Sequence, residues 1–361
     1  MPAIATAPTV RVLIVDDSAF MRRAIERLLN NAPGITVVGT AADGVEGAKR
    51  ALELRPDVIT MDVEMPRMDG VSAVGEIMRT TPVPIVMLST LTVAGAETTI
   101  RALEAGAVDC VAKPSGLSHE LANVGERLAE TVIRASHAKV RRRLAVMPLH
   151  PPMRPGGPAR EGVAAQHLIV IGSSTGGPPA LTQVVPHLPG DLNAGVLVVQ
   201  HMPAGFTAAL AKRLDSMCPL HVVEATDGQL ITPGRVLVAP GDYHMVVGRD
   251  HAVHLTQTAS MHGVRPAIDV TLDSAVEVFG RAMTVAILTG MGRDGAEGAA
   301  RVEKAGGQII VQDEATSVVY GMPRVAKEQT QHALEVPIDR VATAVVRAYQ
   351  SGSHLPGSHL R

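Results

Sequence analysis

The chain has 361 residues, enough for two domains that each bury a core, and with three Tyr, three Phe and no Trp those cores must be aliphatic. A formal net charge of -2 excludes a general attraction to nucleic acid or to an anionic membrane surface. Neither a basic-then-apolar leader nor a run of about 18 apolar residues is present, so the expectation is a soluble protein inside the cell with no direct membrane insertion.

From residue 10 to about 135, short apolar runs at 10–15, 35–39, 58–61, 85–88 and 110–112 alternate with segments whose apolar residues recur at helical spacing, such as 21–29 and 98–103. Five such units predict a parallel sheet wrapped by helices on both faces. Asp16 and Asp17 end the first run and Asp62 ends the third, which brings three carboxylates to one sheet edge, where ligands bind in such folds. Three acids there repel one another unless a hard cation neutralises them, and Mg²⁺ suits carboxylates combined with phosphate oxygens. Ser89 closes the fourth run and Lys113 follows the fifth. A carboxylate nucleophile, a dication site, a hydroxyl and an ammonium are what forming an aspartyl phosphate requires.

This pattern resembles a two-component receiver domain of flavodoxin-like fold. The resemblance implies that Asp62 is the phosphoacceptor, and that Asp17, Asp62 and the Glu64 carbonyl hold Mg²⁺ with Asp16 helping through water. It also implies that Ser89 and Lys113 bind the phosphoryl group, and that a sensor histidine kinase is the donor. One position departs from the pattern: Cys110 stands where receivers carry an aromatic switch residue. Cys110 and Cys218 form no CxxC and are expected as buried hydrophobes in a reducing cytoplasm.

Composition then shifts. Residues 137–143 are basic and 147–162 are rich in proline and glycine, which predicts a semi-rigid linker over 131–164 between a domain at 8–130 and another at 165–349. A polar tail, 350–361, is expected to fray. The second domain repeats the alternation, with apolar runs at 168–171, 196–200, 236–239, 285–289 and 308–311, and an expected β-hairpin at 245–247 and 251–255. The fold class is therefore α/β throughout, a five-stranded parallel sheet followed by a doubly wound, Rossmann-like domain with a hairpin.

The first run of that domain stops at Gly172-Ser173-Ser174-Thr175-Gly176-Gly177, and Gly172-x-Ser174-x-Gly176 has the spacing of a nucleophile elbow. The same glycines do not fit a GxGxxG dinucleotide loop in register. His201 follows the run at 196–200, and Asp294 lies in the glycine-rich turn after 285–289. If the three strands are parallel neighbours, Ser174, His201 and Asp294 project from one edge as nucleophile, base and orienting acid, with the backbone N–H groups of Thr175 and Met291 as oxyanion donors. This chain order differs from that of α/β-hydrolases. His251 and His254 are expected to be edge or solvated histidines rather than metal ligands, since i and i+3 face opposite sides of a strand.

The receiver, the linker and the runs Val-Gln-His-Met-Pro, Ala-Pro-Gly-Asp-Tyr-His-Met, Arg-Pro-Ala-Ile-Asp-Val, Leu-Thr-Gly-Met-Gly-Arg-Asp-Gly and Val-Tyr-Gly-Met-Pro together resemble the chemotaxis protein-glutamate methylesterase family over about 10–345. The resemblance implies hydrolysis of glutamate γ-methyl esters on the cytoplasmic helices of chemoreceptors, with glutamine deamidation as a second activity. It implies no cofactor for the ester step, a monomer, and a docked receiver that uncovers Ser174 when Asp62 is phosphorylated. The family has Gly-Ala-Ser where this chain has Gly172-Ser173-Ser174. The competing class, a response regulator with a binding output, lacks a compact basic helix-turn-helix after the linker.

Overall fold

In a computed structural model, residues 9–90, 92–113, 118–140 and 162–353 are described. Contacts divide the chain into two units, Met1–Met147 and Pro148–Arg361. Most of the expected linker and residues 354–361 of the expected tail lie outside the described residues.

The first unit alternates strictly: β1 (Val10–Val15), α1 (Ala19–Asn30), β2 (Ile35–Ala41), α2 (Gly44–Leu54), β3 (Val58–Asp62), α3 (Gly70–Thr80), β4 (Ile85–Ser89), α4 (Val93–Ala105), β5 (Asp109–Ala112) and α5 (Ser118–Ser136). All neighbouring strands are parallel, in the order β2-β1-β3-β4-β5. That order reverses between β1 and β3, the point at which a doubly wound sheet opens a crevice. The central strands are continuous apolar runs because both faces are covered by helices. Helices begin where short polar side chains accept from their first free N–H groups, as Ser18, Asp43, Asp69 and Thr92 do for α1 to α4. α5 continues to Ser136, past residue 130.

The second unit runs β6 (Leu168–Ser173), α6 (Gly177–Val184), β7 (Gly195–Gln200), α7 (Phe206–Asp215), β8 (His221–Glu224), β9 (Gln229–Leu230), β10 (Arg235–Val238), β11 (His244–Val247) and β12 (Ala252–Thr256). It continues α8 (Ile268–Phe279), β13 (Met283–Ile287), α9 (Ala296–Lys304), β14 (Gln308–Gln312), α10 (Met322–Gln329), β15 (Leu334–Val336) and α11 (Ile338–Ser353). Seven parallel strands lie in the order β15-β14-β13-β6-β7-β10-β8, and β11-β12-β9 form a separate antiparallel sheet that contains the expected hairpin. A core of Leu, Ile, Val and Met side chains, including Leu197, Ile268, Leu272, Ile287 and Met322, joins the large sheet to α8, α9 and α10.

The helices α6 and α9, which follow the Ser174 and Asp294 loops, have no side-chain cap. Each starts after a left-handed glycine, Gly176 at φ 77° and Gly295 at φ 87°. Only glycine takes that conformation without strain, so these loops can turn sharply at the sheet edge.

Candidate active site and acidic site

β13, β6 and β7 are adjacent and parallel, and they occupy the middle of the seven-stranded sheet. Their pairing continues beyond the strand ends: the Ser174 N–H donates to Thr289 O at 3.0 Å, and the His201 N–H to Ser173 O at 3.1 Å. Ser174 and His201 thereby leave one edge from neighbouring strands, and Asp294 reaches them from the loop after β13. His201 Nε2 lies 2.7 Å from Asp294 Oδ2. With Nε2–H donating to the carboxylate, Nδ1 is the nitrogen left with a lone pair.

Asp294 is 2% exposed and accepts two further hydrogen bonds, from the Ile268 N–H at 2.6 Å and the Asp269 N–H at 3.0 Å. Both donors belong to the first turn of α8, where unsatisfied N–H groups and the helix dipole favour an anion. Burial works against the charge on Asp294, but His201 and these backbone donors outweigh it and hold the carboxyl below its ordinary range.

Ser173 and Ser174 are separated by their partners. The Ser173 hydroxyl is fully buried and donates to Gln200 Oε1 at 2.6 Å. The Gln200 amide donates in turn to the carbonyls of Ser174 and His201, both at 3.0 Å, tying the two loops together. A Thr289 hydroxyl donates to Thr175 O at 3.0 Å and accepts from the Val319 N–H at 3.0 Å. The 290–292 turn that carries Met291 is braced by Gly321 and Met322, whose N–H groups both donate to Gly290 O. A Cβ at Gly290 would stand 2.8 Å from Ser174 Cβ and 2.3 Å from Met322 Sδ, so only glycine permits this approach.

The sequence places Gln200, Thr289 and Asp269 inside the quoted motif runs but assigns them no role. Gln200 was detectable as the one amide closing a wholly apolar strand next to His201. The partners of Thr289 are not legible in one dimension, because they lie 114 and 30 residues away. His254 pairs with Asp250 at 3.1 Å, and the His251 ring meets Phe279 edge-on; neither belongs to a metal-ligand cluster among the described residues.

In the first unit the ends of β1, β3, β4 and β5 bring Asp16, Asp62, Ser89 and Lys113 together. Lys113 Nζ lies 2.9 Å from Asp16 Oδ2 and 2.7 Å from Asp62 Oδ2. Burial pushes the Asp62 carboxyl up despite Lys113, and Lys113 itself is raised because its two acid partners outweigh its own burial. Ser89 donates from Oγ to Thr90 O at 3.2 Å. Asp17 is exposed and Glu64 lies in the exposed loop after β3. A carboxylate oxygen from each of Asp16, Asp17 and Asp62 falls within 4.8 Å of the others, an all-oxygen donor set that fits a hard dication. Gly70 lets the following loop close over β3, since a Cβ there would meet Asp62 O at 2.1 Å. Cys110 is buried, which pushes its thiol well up, and both cysteines are free.

Two family models match the chain: CheB methylesterase over residues 169–345 and the response regulator receiver domain over residues 12–124. A protein-glutamate methylesterase/protein-glutamine glutaminase of Symbiobacterium thermophilum is 49% identical over 354 residues, covering 95% of this chain and 98% of its own. One of the same name from Pyrococcus abyssi is 43% identical, covering 96% and 95%. A crystal structure of the Thermotoga maritima CheB methylesterase catalytic domain is 42% identical, covers 50% of this chain and 97% of its own, and gives a TM-score of 0.48. No helix among the described residues is long and apolar enough to cross a membrane.

Proposed function

Because the chain belongs to the CheB family of protein-glutamate methylesterases/protein-glutamine glutaminases, we propose that it demethylates glutamate γ-methyl esters and deamidates glutamines on chemoreceptors, with Ser174 as nucleophile. The enzyme is a carboxylic-ester hydrolase that carries a response regulator receiver. The observation that supports the residue roles is the 2.7 Å His201–Asp294 contact, held by the start of α8 and placed one strand from Ser174.

Ser174 Oγ attacks the ester carbonyl carbon while its proton passes to His201 Nδ1, and Asp294 stabilises the imidazolium. The negative oxygen of the tetrahedral intermediate takes N–H groups of Thr175 and Met291. Collapse breaks the bond to methoxide, which takes the His201 proton and leaves as methanol. Water then attacks the glutamyl ester with His201 again as base, releasing glutamate and restoring the serine hydroxyl. A glutamine follows the same route with ammonia as leaving group.

In the receiver, Asp62 is the phosphoacceptor and a sensor histidine kinase the donor. Mg²⁺ would be held by Asp17, Asp62 and the Glu64 carbonyl, with Asp16 assisting; when bound it neutralises charge on phosphate oxygens. Lys113 and Ser89 would hold the phosphoryl oxygens. A cytoplasmic monomer acting on the cytoplasmic helices of receptors accords with this reading.

The test is methanol release from methyl-labelled receptor membranes, with and without a small-molecule phosphodonor. Wild type should release methanol faster with the donor, Asp62→Ala should ignore the donor, and Ser174→Ala should be inactive. An active Ser174→Ala enzyme would overturn the assignment.

A further inference from the structure

The Arg265-Pro266-Ala267-Ile268-Asp269-Val270 run has no part in the steps above, although its Ile268 and Asp269 N–H groups are the ones that hold Asp294. The Asp269 side chain makes contacts of its own. One oxygen accepts from the Gly298 N–H at 2.7 Å, in the first turn of α9, and the other lies 3.2 Å from His262 Nε2. Two helix starts are thus crossed, since α8 grips the acid that precedes α9, and α9 grips an acid of α8. Asp269 and Asp294 are 1% and 2% exposed, whereas the His262 side chain retains 22% exposure. Two buried carboxylates this close need compensating charge or protons, and His262 offers the second carboxylate what His201 offers the first.

Resting on the triad reading above, we propose that Asp269 and His262 form a second acid–imidazole pair that positions Asp294 and places a second carboxylate behind the one that holds His201. The groups facing Asp269 are His262 from the loop before α8, Asp294 from the loop after β13, and His201 beyond it from the loop after β7. His244 of β11 accepts the Ala267 N–H at Nδ1 and has Ala259 O at Nε2. Farther along α8, Asp273 pairs with Arg301 of α9, with Glu297 of the same helix acting on it.

Burial, joined by the charge of Asp294, pushes Asp269 up to about 6 against the Gly298 hydrogen bond and the His262 contact. Asp269 therefore gains its charge as pH rises through about 6, and that charge adds to the negative field Asp294 presents to the His201 imidazole. Loss of the Asp269 charge removes part of that negative field, so the acid limb of the kcat/KM profile moves to lower pH. Loss of His262 leaves Asp269 neutral to a higher pH and has the same effect in smaller measure.

The experiment records pH profiles of kcat/KM for methyl-ester hydrolysis with the full chain, alongside thermal unfolding. Asp269→Asn should move the acid limb down by about half to one pH unit, and His262→Ala by less. The double variant should match Asp269→Asn, because His262 acts through Asp269. Wild-type acid limbs in both single variants would overturn the proposal. Should Asp269→Asn fail to fold, the partly exposed His262 decides alone: a lowered limb supports the pair, and an unchanged or raised one refutes it. His201→Ala serves as the independent control, since activity retained there would defeat the triad reading rather than this one.

Discussion

The two units place buried carboxylates at the same location, the C-terminal ends of central parallel strands, yet compensate them in different proportions of backbone donor and mobile side chain. Asp294 is surrounded by fixed donors, two of them backbone N–H groups of α8. Asp16 and Asp62 each accept a single backbone N–H, from Ser18 and Val63, and share one lysine side chain, while the exposed Asp17 adds a third carboxylate to the cluster. A carboxylate gripped by backbone dipoles keeps its charge through a catalytic cycle. One balanced by a mobile ammonium suits the proposed role, in which that partner gives way to a cation or a phosphoryl group. The same sheet edge thus serves constancy in one unit and change in the other, and the donors around each acid decide which.

The sharpest break in this comparison comes from Ser174→Ala, expected to lower kcat by roughly 10⁴-fold or more, read as methanol release. Asp294→Asn should follow with a loss of about 10³–10⁴-fold, because the neutral amide no longer stabilises the imidazolium and its NH2 must face a donor N–H. If Asp294→Asn retained most of the activity, the fixed-donor account would fail. In the receiver, Lys113→Ala removes the main group that opposes the burial-driven rise of Asp62, leaving the Val63 N–H. The carboxyl then stays protonated to a higher pH, so the acid limb of phosphoryl uptake from a small-molecule donor should move upward. An unmoved limb would show that Lys113 does not govern that carboxylate. The smallest effect is expected at Gln200→Ala, about 1–3 kcal/mol of stability lost in denaturant unfolding, as Ser173 Oγ and two loop carbonyls lose a partner.

Much of this arrangement is legible in the chain. Apolar runs ending in Asp16-Asp17, Asp62, Ser174 and His201 mark strand ends, because a buried parallel strand is apolar along its whole length and polar groups appear only where it emerges. The expected run at 285–289 is longer than β13, which ends at Ile287; Leu288 and Thr289 then use their N–H groups on Gly172 O and the Gln312 side chain. The short strands β8, β9 and β15 escaped notice, since two to four residues at a sheet margin carry no periodicity. Asp269 could be read as a motif residue but not as a partner of Gly298, because that contact joins two helix starts 29 residues apart.

The residues of the proposed catalytic edge follow β13, β6 and β7, with β14 and β15 on one side and β10 and β8 on the other. Amide protons in such interior strands open to solvent only with the whole unit, whereas short margin strands fray in local excursions. The platform under Ser174 and His201 should therefore exchange hydrogen as slowly as anything in the unit. Insertions and drift accumulated at β8 or β15 can remodel the outer contour of the domain while the reacting atoms keep their spacing.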